Sequence, residues 1–274
     1  MESKHISQIT AEGFRLNHGI RYCGSEQDFP AHLHSCWELI FFVKGNMTHR
    51  VEGKSFRLHR GDLVVTRPSV FHQILPEGEE PYERYNALID EELIPAAIAE
   101  KIPRGVEVFS FGESWRMNEL FEKMDFYIAN GKGEAVEQVV KNALVEVLFM
   151  LSVESEYTVG LTSANPLVDK ALDYVDENLT TLARVSEIAD ALYVTKSHLH
   201  HLFIEHLGVT PKQYVTSKRL LLARKLIRRG YSSTAAATMV GYEDYATFYR
   251  NFKKQTGHSP SEELTAEAYA EEES

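Results

Sequence analysis

Two histidines and a glutamate near the start of the chain have a spacing that could support metal or ligand chemistry. His32, His34 and Glu38 are separated by even numbers of residues. Because successive side chains of a β-strand alternate between its faces, a single strand would point all three to one side. Imidazole and carboxylate groups together are ligands that suit Zn, Mn, Fe or Ni. The spacing therefore predicts a strand face able to hold a divalent metal or to line a polar pocket.

The segments that follow predict the elements that would carry this group. Short runs rich in β-branched and aromatic residues are separated by turn residues every eight to ten positions, as in Lys44-Gly45-Asn46. This punctuation favours an antiparallel sandwich or a small barrel. The predicted strands span residues 37–43, 48–51, 56–58, 63–66, 71–75 and 82–89.

A longer pattern around the same residues resembles a known fold family. The order H-x-H-x3-E-x6-G over residues 32–45, followed by Gly61-Asp62, Pro68 and His72, resembles the two motifs of the cupin jelly roll. Glu26 stands where the first motif normally has glycine. The resemblance implies that four side chains face the barrel interior and form an effector site or a metal site: His32, His34, Glu38 and His72. Structural histidines near the barrel rim are the remaining alternative.

Beyond residue 112 the apolar periodicity changes from 2 to 3.6, which predicts two helices in a hairpin. One apolar stripe runs from Met117 to Ile128 and a longer one from Val136 to Leu151, and residues 152–165 read as a linker. The second stripe is longer than closing one face of a small barrel requires. It therefore predicts a homodimer, with part of the stripe packed on a partner about a two-fold axis. Wholly intramolecular packing is the alternative.

The chain from residue 181 to residue 260 contains two similar halves. At an offset of 49, Leu199 falls on Phe248, Phe203 on Phe252 and Gly208 on Gly257. Each half has a short apolar-faced helix, a turn and a second amphipathic helix. Two copies are too few for a solenoid, so the pattern predicts two helix-turn-helix units in one domain.

In each unit, the second helix is expected to contact DNA with the side opposite its apolar stripe. Thr195 is a credible N-cap for the first of these helices. Arg250 is the strongest candidate for reading a base, because arginine can bind guanine through two hydrogen bonds. The candidate DNA-binding residues are Thr195, Lys196, Ser197, His198, His201, Ala246, Thr247, Arg250, Lys253 and Lys254.

The distribution of charge supports DNA over an ordinary surface role for these helices. The whole chain carries a formal charge of −11, yet residues 178–260 hold 12 Lys and Arg against 5 Asp and Glu. Residues 1–160 hold 16 basic and 25 acidic side chains. A basic excess confined to the duplicated segment is the electrostatic pattern expected of a phosphate-binding surface.

Residues 163–262 resemble the DNA-binding domain of the AraC/XylS family of bacterial transcription regulators. The most specific matches are VGYED at 240–244, FYRNFKK at 248–254 and TGHSP at 256–260. Residues 199–203 and 208–211 also match, as do Arg219, Ala223 and Leu226 in the joining helix. In departures from the family, Ala236 replaces a bulkier aliphatic residue and Glu263 replaces a tyrosine.

The segment between the two units, residues 211–229, reads as one long basic helix. It would hold the two recognition helices near one DNA turn apart, about 34 Å. Its Lys and Arg side chains are expected to be phosphate contacts or solvated charges. After Pro260 the chain is acidic and is expected to fray.

These features predict an α+β protein in four parts. They are a cupin-like effector-binding barrel at 1–112, a helical hairpin for dimerisation with a linker at 113–162, a double helix-turn-helix domain at 163–262 and an acidic tail at 263–274. The predicted function is sequence-specific transcription regulation, with a sugar or another metabolite bound in the barrel modulating DNA binding. The expected partners are duplex DNA, the effector and a second copy of the chain. No cofactor is expected to be required, a divalent transition metal in the barrel being optional.

Two rival functions use the same residues. One is a cupin-type metalloenzyme, an isomerase or dioxygenase, with an accessory DNA-binding tail; the regulator interpretation predicts no enzyme activity. The other is a DNA-binding protein whose barrel only dimerises it. No apolar run reaches the ~18 residues that a membrane span needs, and the chain starts without a signal-peptide pattern. With only two cysteines, these features predict a cytoplasmic protein.

Overall fold

A computed structural model describes residues 3–22, 29–103, 107–111, 115–153 and 165–264. The chain separates into two compact units, Met1–Thr162 and Ser163–Ser274. The interpretations of Glu26, most of the linker and the tail beyond residue 264 fall outside the described residues. No helix in the described ranges is both long enough and apolar enough to cross a membrane.

The first unit is an antiparallel β-sandwich, as the sequence predicted. Its strands are β1 (Ser3–Ala11), β2 (Phe14–Arg21), β3 (Trp37–Lys44), β4 (Met47–Val51), β5 (Lys54–Arg57), β6 (Asp62–Thr66), β7 (His72–Pro76), β8 (Tyr82–Ile89) and β9 (Val108–Ser110). Within the described residues, one sheet has the order β1-β2-β8-β3-β6-β9 and the other β5-β4-β7. Strands β1, β2 and β9 were not predicted from the sequence.

Strand β3 separates two cores because its side chains alternate between the faces of the large sheet. Its odd-numbered residues pack in a core that also contains the helices α2 (Trp115–Asn130) and α3 (Glu134–Val153). Ile40 and Phe42 instead pack with Met47 and Val51 of the small sheet. Glu38 has the same parity as Ile40, so it faces the space between the two sheets.

The helical hairpin is where the periodicity predicted it, and most of its longer stripe packs within its own unit. The longer stripe is buried inside its own unit, including Val140, Leu144, Val147, Leu148 and Leu151. Most of the stripe is therefore buried in the core between the helices and the sheet. The short segments at Glu91–Leu93 and α1 (Ala96–Ala99) contribute Leu93 and Ile98 to the margin of that core.

The second unit is helical and contains both predicted helix-turn-helix units. Its helices are α4 (Pro166–Asn178), α5 (Ser186–Ala191), α6 (Lys196–Leu207), α7 (Pro211–Arg228), α8 (Ser233–Met239) and α9 (Tyr245–Thr256). Thr195 caps α6 by accepting a hydrogen bond from the backbone N–H of His198, and Asp244 caps α9 in the same way. Gly208 and Gly257 end these helices with φ of 72° and 75°, in the left-handed region that favours glycine.

Four basic side chains of α7 make internal contacts, which differs from the sequence prediction of solvated or phosphate-contacting charges: Lys218, Arg219, Arg224 and Arg228. Lys218 Nζ lies 2.7 Å from Asp176 Oδ1. Arg219 donates to the carbonyl oxygens of Leu179, Leu182 and Gly241. Both residues are thus used to fasten α7 to the rest of the unit.

Arg224 and Arg228 are used in the same way, through Glu263. Arg224 Nε lies 3.1 Å from both Glu263 carboxylate oxygens, and Arg228 Nε lies 2.7 Å from Oε1. Glu263 is only 1% exposed. The assignment of Glu263 to a fraying tail was therefore wrong, because two guanidinium groups on a neighbouring helix hold its carboxylate in the core.

Candidate effector site and DNA-contacting helices

All four residues of the predicted effector site meet between the two sheets of the sandwich. The expectation of one continuous strand from His32 to Glu38 was wrong, since β3 begins only at Trp37. The segment before it is instead fastened to the start of β7. His32 and His72 exchange two backbone hydrogen bonds of 3.0 Å, and Ser69 N–H donates to His34 O at 3.0 Å.

Backbone hydrogen bonds also set how each histidine ring presents its two nitrogens. Nδ1 of His32, of His34 and of His72 lies 3.0 Å from the carbonyl oxygens of Pro30, Cys36 and Val70 respectively. A carbonyl only accepts, so each Nδ1 carries the hydrogen and each Nε2 keeps a free lone pair when the ring is neutral. This is how metal-binding histidines are usually oriented by groups behind them.

The free ends of these side chains converge. His72 Nε2 lies 3.0 Å and His34 Nε2 lies 3.7 Å from Glu38 Oε2. One ligand nitrogen from each of His32, His34 and His72 lies within 4.8 Å of the others. The other carboxylate oxygen, Glu38 Oε1, accepts a hydrogen bond of 2.6 Å from Asn86 Nδ2, which orients Oε2 toward the histidines.

A fifth side chain, His49, joins this group without having been predicted. It lies on β4, is 0% exposed, and its ring centroid is 6.1 Å from that of His72. Burial and the nearby His72 lower the pKa of His49 to about 3, so its imidazole is neutral near pH 7. The alternation of β4, in which Met47 and Val51 flank His49 on the buried side, was the sequence signal that could have found it.

The electrostatics of the group favour an additional positive charge among these atoms. Burial alone would raise the pKa of Glu38, but His72 and His34 lower it well below its usual range. Burial opposes protonation of His34, yet its contacts with Cys36 and Glu38 raise its pKa well above the usual value. A buried carboxylate facing lone-pair nitrogens needs a proton or a metal cation between them, and the donor set suits a divalent transition metal. The residues present therefore fit such an ion. His32 is the exception in burial, because it is exposed at the edge of the group.

In the second unit, the predicted DNA-contacting residues occupy the exposed sides of α6 and α9. Leu199, Leu202 and Phe203 are buried on the inner side of α6, and Phe248 and Phe252 on that of α9. The outer sides expose most of the predicted residues: Lys196, Ser197, His198, His201, Ala246, Arg250, Lys253 and Lys254. Each helix thus presents a polar side opposite the stripe that anchors it.

Two of the predicted contacts already have partners within the protein. The hydroxyl of Thr195 accepts from the His198 N–H at 3.1 Å, so it is committed to capping α6. Thr247 Oγ1 donates to Asp244 Oδ2 at 2.5 Å and accepts from Arg250 Nη2 at 3.0 Å. Thr247 and Asp244 therefore orient the guanidinium of Arg250, a function that sequence reasoning did not assign to them.

Known protein families match the two units of the chain separately. Residues 18–124 match the family model described as an AraC-like ligand binding domain, and residues 188–266 match a helix-turn-helix domain model. The first match contains His32, His34, Glu38, His49 and His72, and the second contains both recognition helices.

Curated relatives match over most or part of the chain. The HTH-type transcriptional activator RhaS of Yersinia pestis is 26% identical over 85% of this chain and 88% of its own length. The lactose operon transcription activator of Staphylococcus xylosus is 32% identical over 39% of this chain and 38% of its own length. Among solved structures, ToxT of Vibrio cholerae is 14% identical, with a TM-score of 0.43 over 93% of this chain and 98% of that protein.

Proposed function

Because the chain belongs to the AraC/XylS family of transcription regulators, we propose that its effector binds between the two sheets, at the group of His32, His34, Glu38, His49 and His72. The protein is a DNA-binding regulator whose first unit is of the ligand-binding type and whose second unit is of the helix-turn-helix type. Sugars and other small metabolites are the candidate effectors. Their binding alters DNA affinity if they bind two arrangements of the chain with different affinity.

One observation supports this position for the effector site. His34 Nε2, Glu38 Oε2, His72 Nε2 and both ring nitrogens of His49 are buried without a hydrogen-bond partner among the described residues. Each such atom costs about 1–3 kcal/mol when it is left unpaired. A bound ion, water or effector oxygen would remove that cost, and this supports a binding site over a purely structural cluster.

The same atoms support a divalent transition metal as a resident ligand. His34, Glu38 and His72 would hold it, with His32 at the exposed edge. A cation there would supply a Lewis acid that binds an oxygen of the effector. The chain's own contribution is to orient the imidazoles through their Nδ1 hydrogen bonds and the carboxylate through Asn86.

Elemental analysis of purified protein, exchanged into chelator-free buffer, tests the metal directly. The wild type should retain about one equivalent of a divalent metal, and His72→Ala should lose most of it. His59→Ala is the matched control, because His59 is exposed on the same unit. A wild type without metal, or equal metal in His72→Ala, would contradict this part of the proposal.

The enzyme rival rests on that same cluster. The matching relatives are transcription activators, which supports a regulator in which any metal assists binding only. Turnover of a candidate effector by the metal-loaded protein, abolished in His72→Ala, would favour the enzyme instead.

The effector site itself can be tested by melting the full chain across a panel of sugars, sugar acids and sugar phosphates. A ligand at 100 times its Kd should add about 2.7 kcal/mol of stability. That ligand should also change the affinity of the protein for DNA, and both responses should be lost in Glu38→Gln. A ligand that raises the melting temperature equally in wild type and Glu38→Gln would place the effector elsewhere.

We further propose a homodimer in the cytoplasm, where the DNA that such regulators bind is found. Phe126, Val139, Phe149 and Val153 are exposed apolar side chains on α2 and α3, and they support an interface beside the buried stripe. Sedimentation equilibrium should give a dimer for the wild type and a weaker one for Phe149→Ser. A monomeric wild type would contradict the dimer, and an undiminished Phe149→Ser dimer would exclude this surface.

A further inference from the structure

The space between the two sheets contains an arginine that forms no salt bridge with any described residue. Arg84 lies on β8, in register with Gly19 of β2 and Phe42 of β3. Its neighbour Tyr85 packs in the core beside the helices, whereas Tyr82 and Phe42 pack between the sheets. Strand alternation therefore directs Arg84 into the space that also receives Glu38. Its partner on β2, Gly19, has no side chain on that face.

Burial makes this guanidinium expensive to keep unpaired. Arg84 is 9% exposed, and its Nε has no hydrogen-bond partner among the described residues. The Tyr82 ring lies 5.3 Å from its Cζ, and a cation–π contact of this kind returns about 2 kcal/mol at most. Burying a cation costs several kcal/mol, so the ring alone does not offset the loss of hydration.

A second arginine lies beside the first. Arg21 is in register with Tyr82, which makes it a diagonal neighbour of Arg84 on the same face of the sheet. Burial and then the charge of Arg84 lower the pKa of Arg21. No salt bridge to either arginine occurs in the described part of the chain. Two neighbouring guanidinium groups without a salt bridge form the donor pattern that binds an oxyanion.

The arginines share one face of the large sheet with Asn86 and with Glu38 of the cluster. Asn86 is two residues from Arg84 on β8, about 7 Å along the strand, and its amide donates to Glu38. A molecule of modest size could therefore contact Arg84, Asn86 and the cluster together.

We propose that the effector is a small organic oxyanion whose carboxylate or phosphate is bound by Arg84 and Arg21, while an oxygen at its other end reaches the histidine–glutamate cluster. This deepens the proposed function, on which it rests, by naming the chemical class of the effector: a sugar acid or sugar phosphate rather than a neutral sugar. The arginines select charge, and the cluster selects an oxygen donor at the opposite end.

The test uses simple oxyanions, so it does not depend on knowing the effector. Full-length wild type, Arg84→Met and Arg60→Met are melted in sodium phosphate, sodium acetate or sodium chloride at equal ionic strength. Arg60 is exposed on the same unit and serves as the control. Wild type and Arg60→Met should melt at a higher temperature in phosphate or acetate than in chloride. Arg84→Met should bind the same oxyanion with an apparent affinity at least about tenfold weaker.

A second readout distinguishes anion binding from a structural role of Arg84. In chloride, Arg84→Met should melt at the same temperature as the wild type or higher, because the substitution removes an unpaired buried charge. A clear loss of stability in chloride would indicate that Arg84 holds the fold, and would overturn the proposal. Equal responses of wild type and Arg84→Met to oxyanions, or a wild-type response no larger than that to chloride, would also overturn it.

Further arms separate the two oxyanions and the two proposals. Glucuronate, glucose 6-phosphate and glucose are each added before melting. The acid that raises the melting temperature more shows whether the arginines prefer a carboxylate or a phosphate, and glucose should leave the melting temperature unchanged. The inference fails while the proposed function stands if glucose binds as tightly as both acids and still loses affinity in Glu38→Gln. If oxyanions stabilise the wild type but not Arg84→Met, and no ligand changes the affinity for DNA, the regulatory function fails while the oxyanion site stands.

Discussion

Individual charged side chains in this protein pair with residues that are distant in sequence. Substituting one of them should leave the charge of its partner uncompensated. Glu263 accepts from Arg224 and Arg228 in the core of the helical unit. Glu263→Gln should destabilise that unit by about 3–5 kcal/mol, because it leaves buried guanidinium charge uncompensated. Urea unfolding followed by far-UV circular dichroism measures the loss. Glu177→Gln, at an exposed position of α4, should stay within about 0.5 kcal/mol.

Arg250 is the residue at which base specificity is most directly tested. Arg250→Ala should relax the preference for one or two base pairs and lose about 1–3 kcal/mol of discrimination. Lys254→Ala should weaken all duplexes alike and reduce the salt slope by about 1. Selection from random duplexes, repeated with each variant, checks both. An unchanged preferred sequence in Arg250→Ala would exclude Arg250 from base readout.

Asp125 ties α2 to the large sheet and gives a stability term that depends on pH. It lies 2.7 Å from His18 Nδ1, and it accepts hydrogen bonds from Tyr85 at 2.8 Å and Ser7 at 2.5 Å. Burial opposes ionisation, but these hydrogen bonds lower the pKa of Asp125 below its usual value. Its stabilising contribution is therefore complete above the unfolded pKa near 4 and is lost as the pH falls through the folded pKa.

Asp125→Asn should accordingly lower stability by about 2 kcal/mol at pH 7, with the difference shrinking below about pH 4. Tryptophan fluorescence during urea unfolding reports this unit, because both tryptophans lie within it. The exposed Glu119→Gln on the same helix is the control. A deficit that stays constant from pH 7 to pH 3 would show that the carboxylate charge is not what stabilises the contact.

At the scale of elements, the turn between α8 and α9 depends on a glycine for two separate reasons. Gly241 has a φ of 86°, and a Cβ there would lie 2.3 Å from the carbonyl oxygen of Thr180. Gly257 has a similar φ of 75° but open space around it. Gly257→Ala should therefore cost about 1 kcal/mol for backbone strain, and Gly241→Ala at least about 2 kcal/mol more. Thermal melts that show equal losses would contradict the close approach of the turn to Thr180.

The elements that the sequence predicted well are those with strong local signals. The helices of the second unit were recognised because their apolar spacing, N-caps and terminal glycines all lie within a dozen residues. Strands β1 and β2 were not predicted, because their residues are mostly polar or half-buried and the alternation of apolar and polar residues is weak. The charges of Lys218, Arg224 and Glu263 could not be assigned either, since their partners are 35 or more residues away.

The candidate site shows the same division. The types and spacing of His32, His34, Glu38 and His72 predicted a polar group in the sandwich interior. They did not predict that the first two residues precede β3, because their position depends on backbone bonds to residues 69–72. His49 was missed because it is a single polar residue on an otherwise apolar strand face, and Arg84 because nothing in its local sequence indicates burial. Their importance is visible only when the opposite sheet is in place.

At the scale of the whole molecule, the chain combines a unit of the ligand-binding type with a unit of the helix-turn-helix type, and its function depends on recognition of specific DNA. We expect that recognition to come from the exposed sides of α6 and α9, where the candidate DNA-contacting residues lie.

The most direct test is a fluorescence-anisotropy comparison of the full-length protein on its selected duplex and on a scrambled duplex across a salt series. We expect the selected duplex to be bound at least about 1,000-fold more tightly, with log affinity falling linearly as log salt rises. Equal affinity for both duplexes, or binding to neither with and without a stabilising effector, would contradict the account.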